Sequence, residues 1–256
     1  MSLHRLLLSK PSRSITLSLA QQRILIIGGS NGMGLACAQR LARAGAEVFI
    51  AGRSQAKLDT ALTQIEGRAA TVVLDFTDAT SLVAAAERLG HIDHLVLSAS
   101  GSPAWGPFAQ VPVEALRAAL ENKLLGYWQA LQAMLPTLRS DGSVVMLTGA
   151  ASRTPMTGTA GLAAVNGAIT QMARTLAQEL APLRVNVVSP GLVDTPAYDG
   201  LSAGAKQGMF QSAARHLPVG RTGTSEDIAA AIEMLLDNEF ATGVLLDLDG
   251  GARMAV

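Results

Sequence analysis

Arg23-Ile24-Leu25-Ile26-Ile27-Gly28-Gly29-Ser30-Asn31-Gly32-Met33-Gly34 is the stretch on which the fold turns. Its first five residues make an apolar run of strand length. A continuous run, rather than an alternating one, belongs to a strand covered on both faces. The turn that follows carries glycines at 28, 29, 32 and 34. Residues 33–44 then read as a helix closed by Gly45. A glycine-rich turn between a strand and a helix lets the backbone approach a pyrophosphate, and the free N–H groups of the helix start supply partial positive charge. Gly28, Ser30, Asn31, Gly32, Met33 and Gly34 are therefore candidate ligand contacts.

Working outward, the alternation continues. Further strands are expected at 47–51, 70–74, 94–97, 143–148, 185–188 and 244–247. Helices are expected at 54–65, 78–89, 113–138 and 158–180, with another inside the irregular stretch 189–221. Thr224 and Asp227 have the spacing of a capping box that opens a last helix to Leu236. Seven apolar strands separated by helices predict one α/β domain, a doubly wound parallel sheet with helices on both faces. No linker or repeat divides the 256 residues.

Composition excludes several functions. The 20 basic and 20 acidic residues balance, so nothing draws the chain to nucleic acid or an anionic membrane surface. No apolar run is long enough to span a bilayer. One cysteine, Cys37, cannot form an internal disulfide, and no spacing suits a metal site. The single thiol suits a reducing, cytoplasmic setting. Residues 1–22 contain His4, Arg5, Lys10 and Arg13 and no acid. They have the composition of a mitochondrial transit peptide, but are read here as a poorly ordered extension.

The second strand ends Ala51-Gly52-Arg53-Ser54. A dinucleotide fold that takes NAD(H) places an acid near this point, on the ribose 2′-hydroxyl. Here the acid is missing, and a guanidinium beside a hydroxyl suits a 2′-phosphate. The expected cofactor is NADP(H), with Arg53 and Ser54 in the site.

Gly28-x3-Gly32-x-Gly34 is similar to the cofactor loop of the short-chain dehydrogenases/reductases, and the resemblance extends from about Gln22 to Ala252. It implies a Rossmann-like fold. It also implies roles for Asp75 and Phe76 at the adenine and for Ser98, Ala99 and Ser100 after the fourth strand. Asn186-Val187-Val188-Ser189-Pro190-Gly191, with Asp194-Thr195-Pro196, resembles the family's late signature. That likeness implies that Pro190 and Gly191 line the nicotinamide, with Val193 and Thr195 at its carboxamide.

The family's proton relay is an Asn, Ser, Tyr and Lys tetrad, in which the lysine lowers the pKa of the tyrosine. In this chain those positions align with Lys123, Gly149, Leu162 and Asn166. No Tyr-x3-Lys occurs, because Leu131 follows Tyr127 and Ser202 follows Tyr198 at that spacing. Lys123 and Tyr198 are the candidate replacements, and Asn166 is expected to hold the ribose. Thr148, Ser98, Ser100 and Thr159 lack an activating base and read as structural, and His91 and His94 as surface and turn residues. Trp105, Phe108, Leu162, Tyr198 and Met209 are expected to line an apolar pocket.

Two functions remain. One is an NADP(H)-dependent oxidoreductase acting on a carbonyl or alcohol compound with a substituted proton donor. The other is a catalytically inactive NADP(H)-binding sensor or partner protein. Non-redox chemistry on the same fold is a weaker third. The apolar character of 113–138 and 158–180 predicts pairing of copies, as a homotetramer or failing that a dimer.

Overall fold

The computed structural model describes residues 19–99 and 104–254. The strands are β1 (Arg23–Ile27), β2 (Glu47–Gly52), β3 (Ala69–Val73), β4 (Ile92–Leu97), β5 (Leu138–Leu147), β6 (Arg184–Pro190) and β7 (Leu245–Leu248). They form one seven-stranded sheet in the order β3-β2-β1-β4-β5-β6-β7, and every pairing is parallel. Ile24, Leu25, Ile26 and Ile27 are almost wholly buried, as a central strand between two helical layers requires.

One layer comprises α1 (Gly32–Arg43), α2 (Gln55–Leu62) and α8 (Ser225–Asp237); Leu41, Leu58 and Ile232 pack there against Ile26 and Val145. The other comprises α3 (Ala79–Leu89), α4 (Val113–Ala119), α5 (Gly126–Met134) and α6 (Ala160–Glu179), where Leu82, Met134 and Ile169 pack against Leu95 and Met146. A further helix, α7 (Ala203–His216), has no buried residue and lies outside both layers. Ser54, Asp78 and Ser202 cap their helices, and the capping box of Thr224 and Asp227 is complete.

Three expectations need correction. The helix from Val113 ends at Met134, and β5 begins at Leu138 rather than 143. The early part of β5 was hidden by its polar residues: Arg139 bridges Asp93 and Asp141 at the sheet's N-terminal edge. Residues 19–22 of the N-terminal stretch are packed: Leu19 is buried, and Gln21 N–H donates to Gly45 O at 2.9 Å. Residues 1–18 lie outside the described residues.

His94 is the third correction. It is a buried residue of β4 whose Nε2 meets the Gln22 side-chain oxygen. An amide oxygen only accepts, so Nε2 carries the proton; Nδ1 is buried with no partner. Burial first, then the Arg139 and Arg184 charges, push the imidazole pKa down to about 4 from 6.5, against Asp93 and Asp141. The folded state therefore binds this proton less readily than the unfolded chain. The stability that results is present above pH 6.5 and is lost as the pH falls toward 4, amounting to about 3 kcal/mol. Denaturation midpoints between pH 7 and 4 should fall more steeply for the native protein than for His94→Gln. Equal slopes would show that His94 does not titrate in this window.

Candidate active site

The strand order reverses between β1 and β4, and the crevice at their C-terminal ends is where such sheets bind ligands. Gly28 leaves β1 with φ +90°, and a Cβ there would stand 2.5 Å from Ala99 N in the segment after β4. A Cβ on Gly34 would stand 2.2 Å from Gly28 O, inside contact distance. The first turn of α1 can close over the strand end only with hydrogen at both positions. Asn31 is the N-cap residue of α1, and its side chain makes no capping bond. The N–H groups of the first turn are thus left to a ligand. Thr195 and Pro196 approach from the far side, 3.6 Å from where a Gly32 Cβ would be. These residues fit a dinucleotide pyrophosphate.

At the end of β2 a Cβ on Gly52 would make ordinary van der Waals contact, without a clash, with Ser30 Oγ and Leu58 Cδ2, each 3.8 Å away. Arg53 is exposed beside Asp75. Burial works to raise the Asp75 carboxyl, but bonds from the Thr77 hydroxyl and N–H, with the Arg53 charge, hold it below the usual range. Ser54 Oγ accepts from Lys57 N at 3.4 Å, as the cap of α2. The ring of Phe76 lies against Gly126, where a Cβ would come within 2.4 Å of it. Pro190 ends β6, Gly191 N–H donates to Leu248 O, and Val193 is buried beside Gly223. Ser98 and Ala99 follow β4 at the crevice; Ser100 lies outside the described residues.

Lys123 occupies a π-helical segment, Leu120–Leu125, between α4 and α5. Such segments insert a residue into the helix and re-aim side chains, often at functional sites. Here Glu121, Asn122 and Leu125 are exposed while Lys123 is 6% exposed. Its Nζ donates to Asn166 Oδ1 at 2.9 Å and to Thr148 O at 3.2 Å. Burial lowers the ammonium pKa from 10.5 to about 8. Asn166 comes from the middle of α6, and a Cβ on Gly149 would stand 3.1 Å from its Nδ2. Leu162, half-buried, lies one turn earlier on the same face of α6. Lys123, Gly149 and Asn166, distant in sequence, therefore meet at the end of β5.

Tyr127 was missed as a site residue. It is four positions after Lys123, so it shares its helix face, and that spacing was the available signal. The side chain is fully buried, with its hydroxyl shared between Ala99 O at 2.9 Å and Leu147 O at 3.2 Å. It ties together the ends of β4 and β5, and burial pushes its pKa up. Thr148 Oγ1 donates to Val188 O and Thr159 Oγ1 to Met156 O, both structural bonds.

Of the residues expected to line an apolar pocket, Leu162 and Tyr198 are half-buried. Trp105 and Phe108 are largely exposed, Phe108 at 84%. Tyr198 packs edge-on against Phe210 of α7, with ring centroids 5.5 Å apart, and burial raises its pKa. Lys206 of α7 bridges Asp194 and Asp199 at 2.9 Å each, fastening the helix to the segment after β6. Among the described residues no group of three or more His, Cys, Asp and Glu is placed to hold a metal, and no helix is long and apolar enough to cross a membrane.

A parallel sheet with a glycine-lined crevice at the reversal of strand order defines a dinucleotide-binding α/β protein. The chain belongs to the short-chain dehydrogenase/reductase family: the family profile described as enoyl-(acyl carrier protein) reductase matches residues 28–253. It is 34% identical to the trans-4-hydroxycyclohexanecarboxylate dehydrogenase of Sinomonas cyclohexanicum over 250 residues, 91% of this chain and 93% of that one. It is 31% identical to the human dehydrogenase/reductase SDR family member 4 over 246 residues, 91% and 88% of the two chains. A small-chain dehydrogenase solved in complex with NADPH superposes with a TM-score of 0.80 at 32% identity, covering 91% of this chain and 99% of that one. The protein is thus an oxidoreductase by family.

Proposed function

We propose that the protein is an NADP(H)-dependent oxidoreductase acting on a carbonyl or alcohol compound, with Lys123 in place of the tyrosine that its relatives use. The observation that carries this reading is the buried Lys123 ammonium, hydrogen-bonded to Asn166 beside Gly149. The nicotinamide, when bound, supplies or accepts the hydride. The chain's own residues hold it and manage charge at the substrate oxygen. Gly28, Gly32 and Gly34 leave room for the pyrophosphate, Arg53 takes the 2′-phosphate, and Asn166 bonds the ribose. Lys123 either gives the oxygen a proton or polarises it; with a pKa of about 8 it is protonated at neutral pH. Lys123→Met should abolish NADPH consumption with any carbonyl compound found to support it. Tyr198 is the other candidate donor, and Tyr198→Phe should leave that consumption nearly intact.

Cofactor choice has its own test. A Cβ at Gly52 meets its neighbours at ordinary contact distance, so a carboxylate can be placed there, where it repels a 2′-phosphate and bonds a 2′-hydroxyl. Gly52→Asp should weaken NADPH binding about a hundredfold and improve NADH, read by fluorescence titration. An unchanged ratio would remove Arg53 and Gly52 from the account.

The second reading, a sensor without turnover, is favoured by Gly149 and Leu162, which bring no titratable group to the positions aligned with the family's serine and tyrosine. It predicts NADPH-dependent association with another protein and no consumption. In either case we propose a homotetramer in the cytoplasm. Leu125 and Trp128 are half-exposed apolar residues on the outer side of the Lys123 helix, and Cys37 is a free thiol. Light scattering should return four times 26.5 kDa, and a monomer at micromolar concentration would refute the assembly.

A further inference from the structure

Resting on the oxidoreductase reading, a further step concerns what holds the cofactor crevice at a fixed distance from Lys123. We propose that Tyr127 is a positioning residue for the cofactor: its hydroxyl fastens the end of β4, one wall of the crevice, to the helix turn that carries Lys123.

The turn from Lys123 to Tyr127 meets the ends of three strands. Lys123 Nζ donates to Thr148 O, just past β5. Gly126 has no side chain, and the ring of Phe76, beyond β3, fills the place that a Cβ would take. The Tyr127 hydroxyl reaches Ala99 O at 2.9 Å, beyond β4, and Leu147 O at 3.2 Å, at the end of β5. The ladder between β4 and β5 stops at Leu97 and Met146, so this hydroxyl stands as a rung beyond the last backbone pairing.

A phenol has one proton, and the shorter of the two contacts gives Ala99 O the larger share of it. Ala99 is also the residue on which the turn after β1 closes, since a Cβ on Gly28 would stand 2.5 Å from Ala99 N. A shift of Ala99 is therefore a shift of the wall behind the pyrophosphate site. Ala99 and Leu147 are buried, so water does not readily replace a lost donor at their carbonyls. Tyr127 is itself fully buried and acts on the cofactor only through Ala99.

The test compares the native protein with Tyr127→Phe, which keeps the ring and removes the proton, and with Arg184→Lys, a destabilised variant remote from the crevice. Fluorescence titration should show NADPH bound about tenfold more weakly by Tyr127→Phe and at native strength by Arg184→Lys. Amide exchange without cofactor should quicken about tenfold at Ser98 N–H, which donates to Ile27 O next to the rung, in excess of any change at Val48 N–H in β2. In the native protein, bound NADPH should slow exchange at Ser98. Native NADPH affinity in Tyr127→Phe overturns the proposal, as does an equal loss of affinity in Arg184→Lys. A change at Ser98 no larger than that at Val48, or NADPH that binds the native protein and leaves Ser98 exchange unaltered, overturns it as well. A native protein that binds no NADPH would instead count against the oxidoreductase reading, and exchange at Ser98 in Tyr127→Phe would still decide whether the hydroxyl holds the end of β4.

Discussion

Replacing Arg184 by methionine should cost about 3–5 kcal/mol of folding stability, although the residue is remote from the cofactor crevice. Arg184 opens β6 and is 8% exposed. Its Nη1 donates to Leu235 O at 2.8 Å, Asn238 O at 3.0 Å and Ala241 O at 3.3 Å, and its Nη2 to Leu236 O at 2.7 Å. These are the last carbonyls of α8 and of the turn that leads to β7. A helix C-terminus leaves its carbonyls unpaired and carries partial negative charge, and a buried guanidinium answers both. Without it, Ala241 O keeps its bond from Asn186 Nδ2, while Leu235 O and Leu236 O keep none from a side chain. The melting temperature should fall by on the order of 10 °C. Arg184→Lys should recover only part of this, because an ammonium cannot reach both ends of the array. A loss below about 1 kcal/mol would mean that water replaces the guanidinium.

Lys123→Met should show the opposite sign in stability together with a large loss of function. The folded state lowers the Lys123 pKa to about 8 from 10.5. Folding therefore disfavours the protonated form: the penalty is full below pH 8 and disappears as the pH rises to 10.5. Methionine has nearly the same length and no charge, so the variant should equal or exceed the native stability at pH 7 and lose the alkaline slope. Turnover should fall by roughly 10²–10⁴ with NADPH affinity little changed. In the native protein, carbonyl reduction should decline as the pH passes through about 8, because the ammonium is lost. A variant that is destabilised and still active would make Lys123 a structural residue.

The layered architecture was legible because it is written in local pattern. The runs at Ile24–Ile27 and Val144–Leu147, the glycine spacing after β1 and the capping box at Thr224 each depend on residues close in sequence. The same holds for the cofactor crevice, since the sharp turn at Gly28 and the contact of Gly34 with Gly28 O need only hydrogens where side chains would be. Residues that act across elements were not legible. His94 looked like a turn residue until Gln22 and the flanking strands closed over it. Phe108 looked like pocket lining although it points to solvent. Lys123 offered two directions from a helix face, and only the π-helical segment turned it inward while leaving Asn122 outside. Its meeting with Asn166 spans 43 residues. Periodicity in a chain specifies which face of an element is buried. Which polar groups then meet in that interior is set by how separate elements pack, because a buried charge or amide must find its partners wherever the tertiary structure brings them.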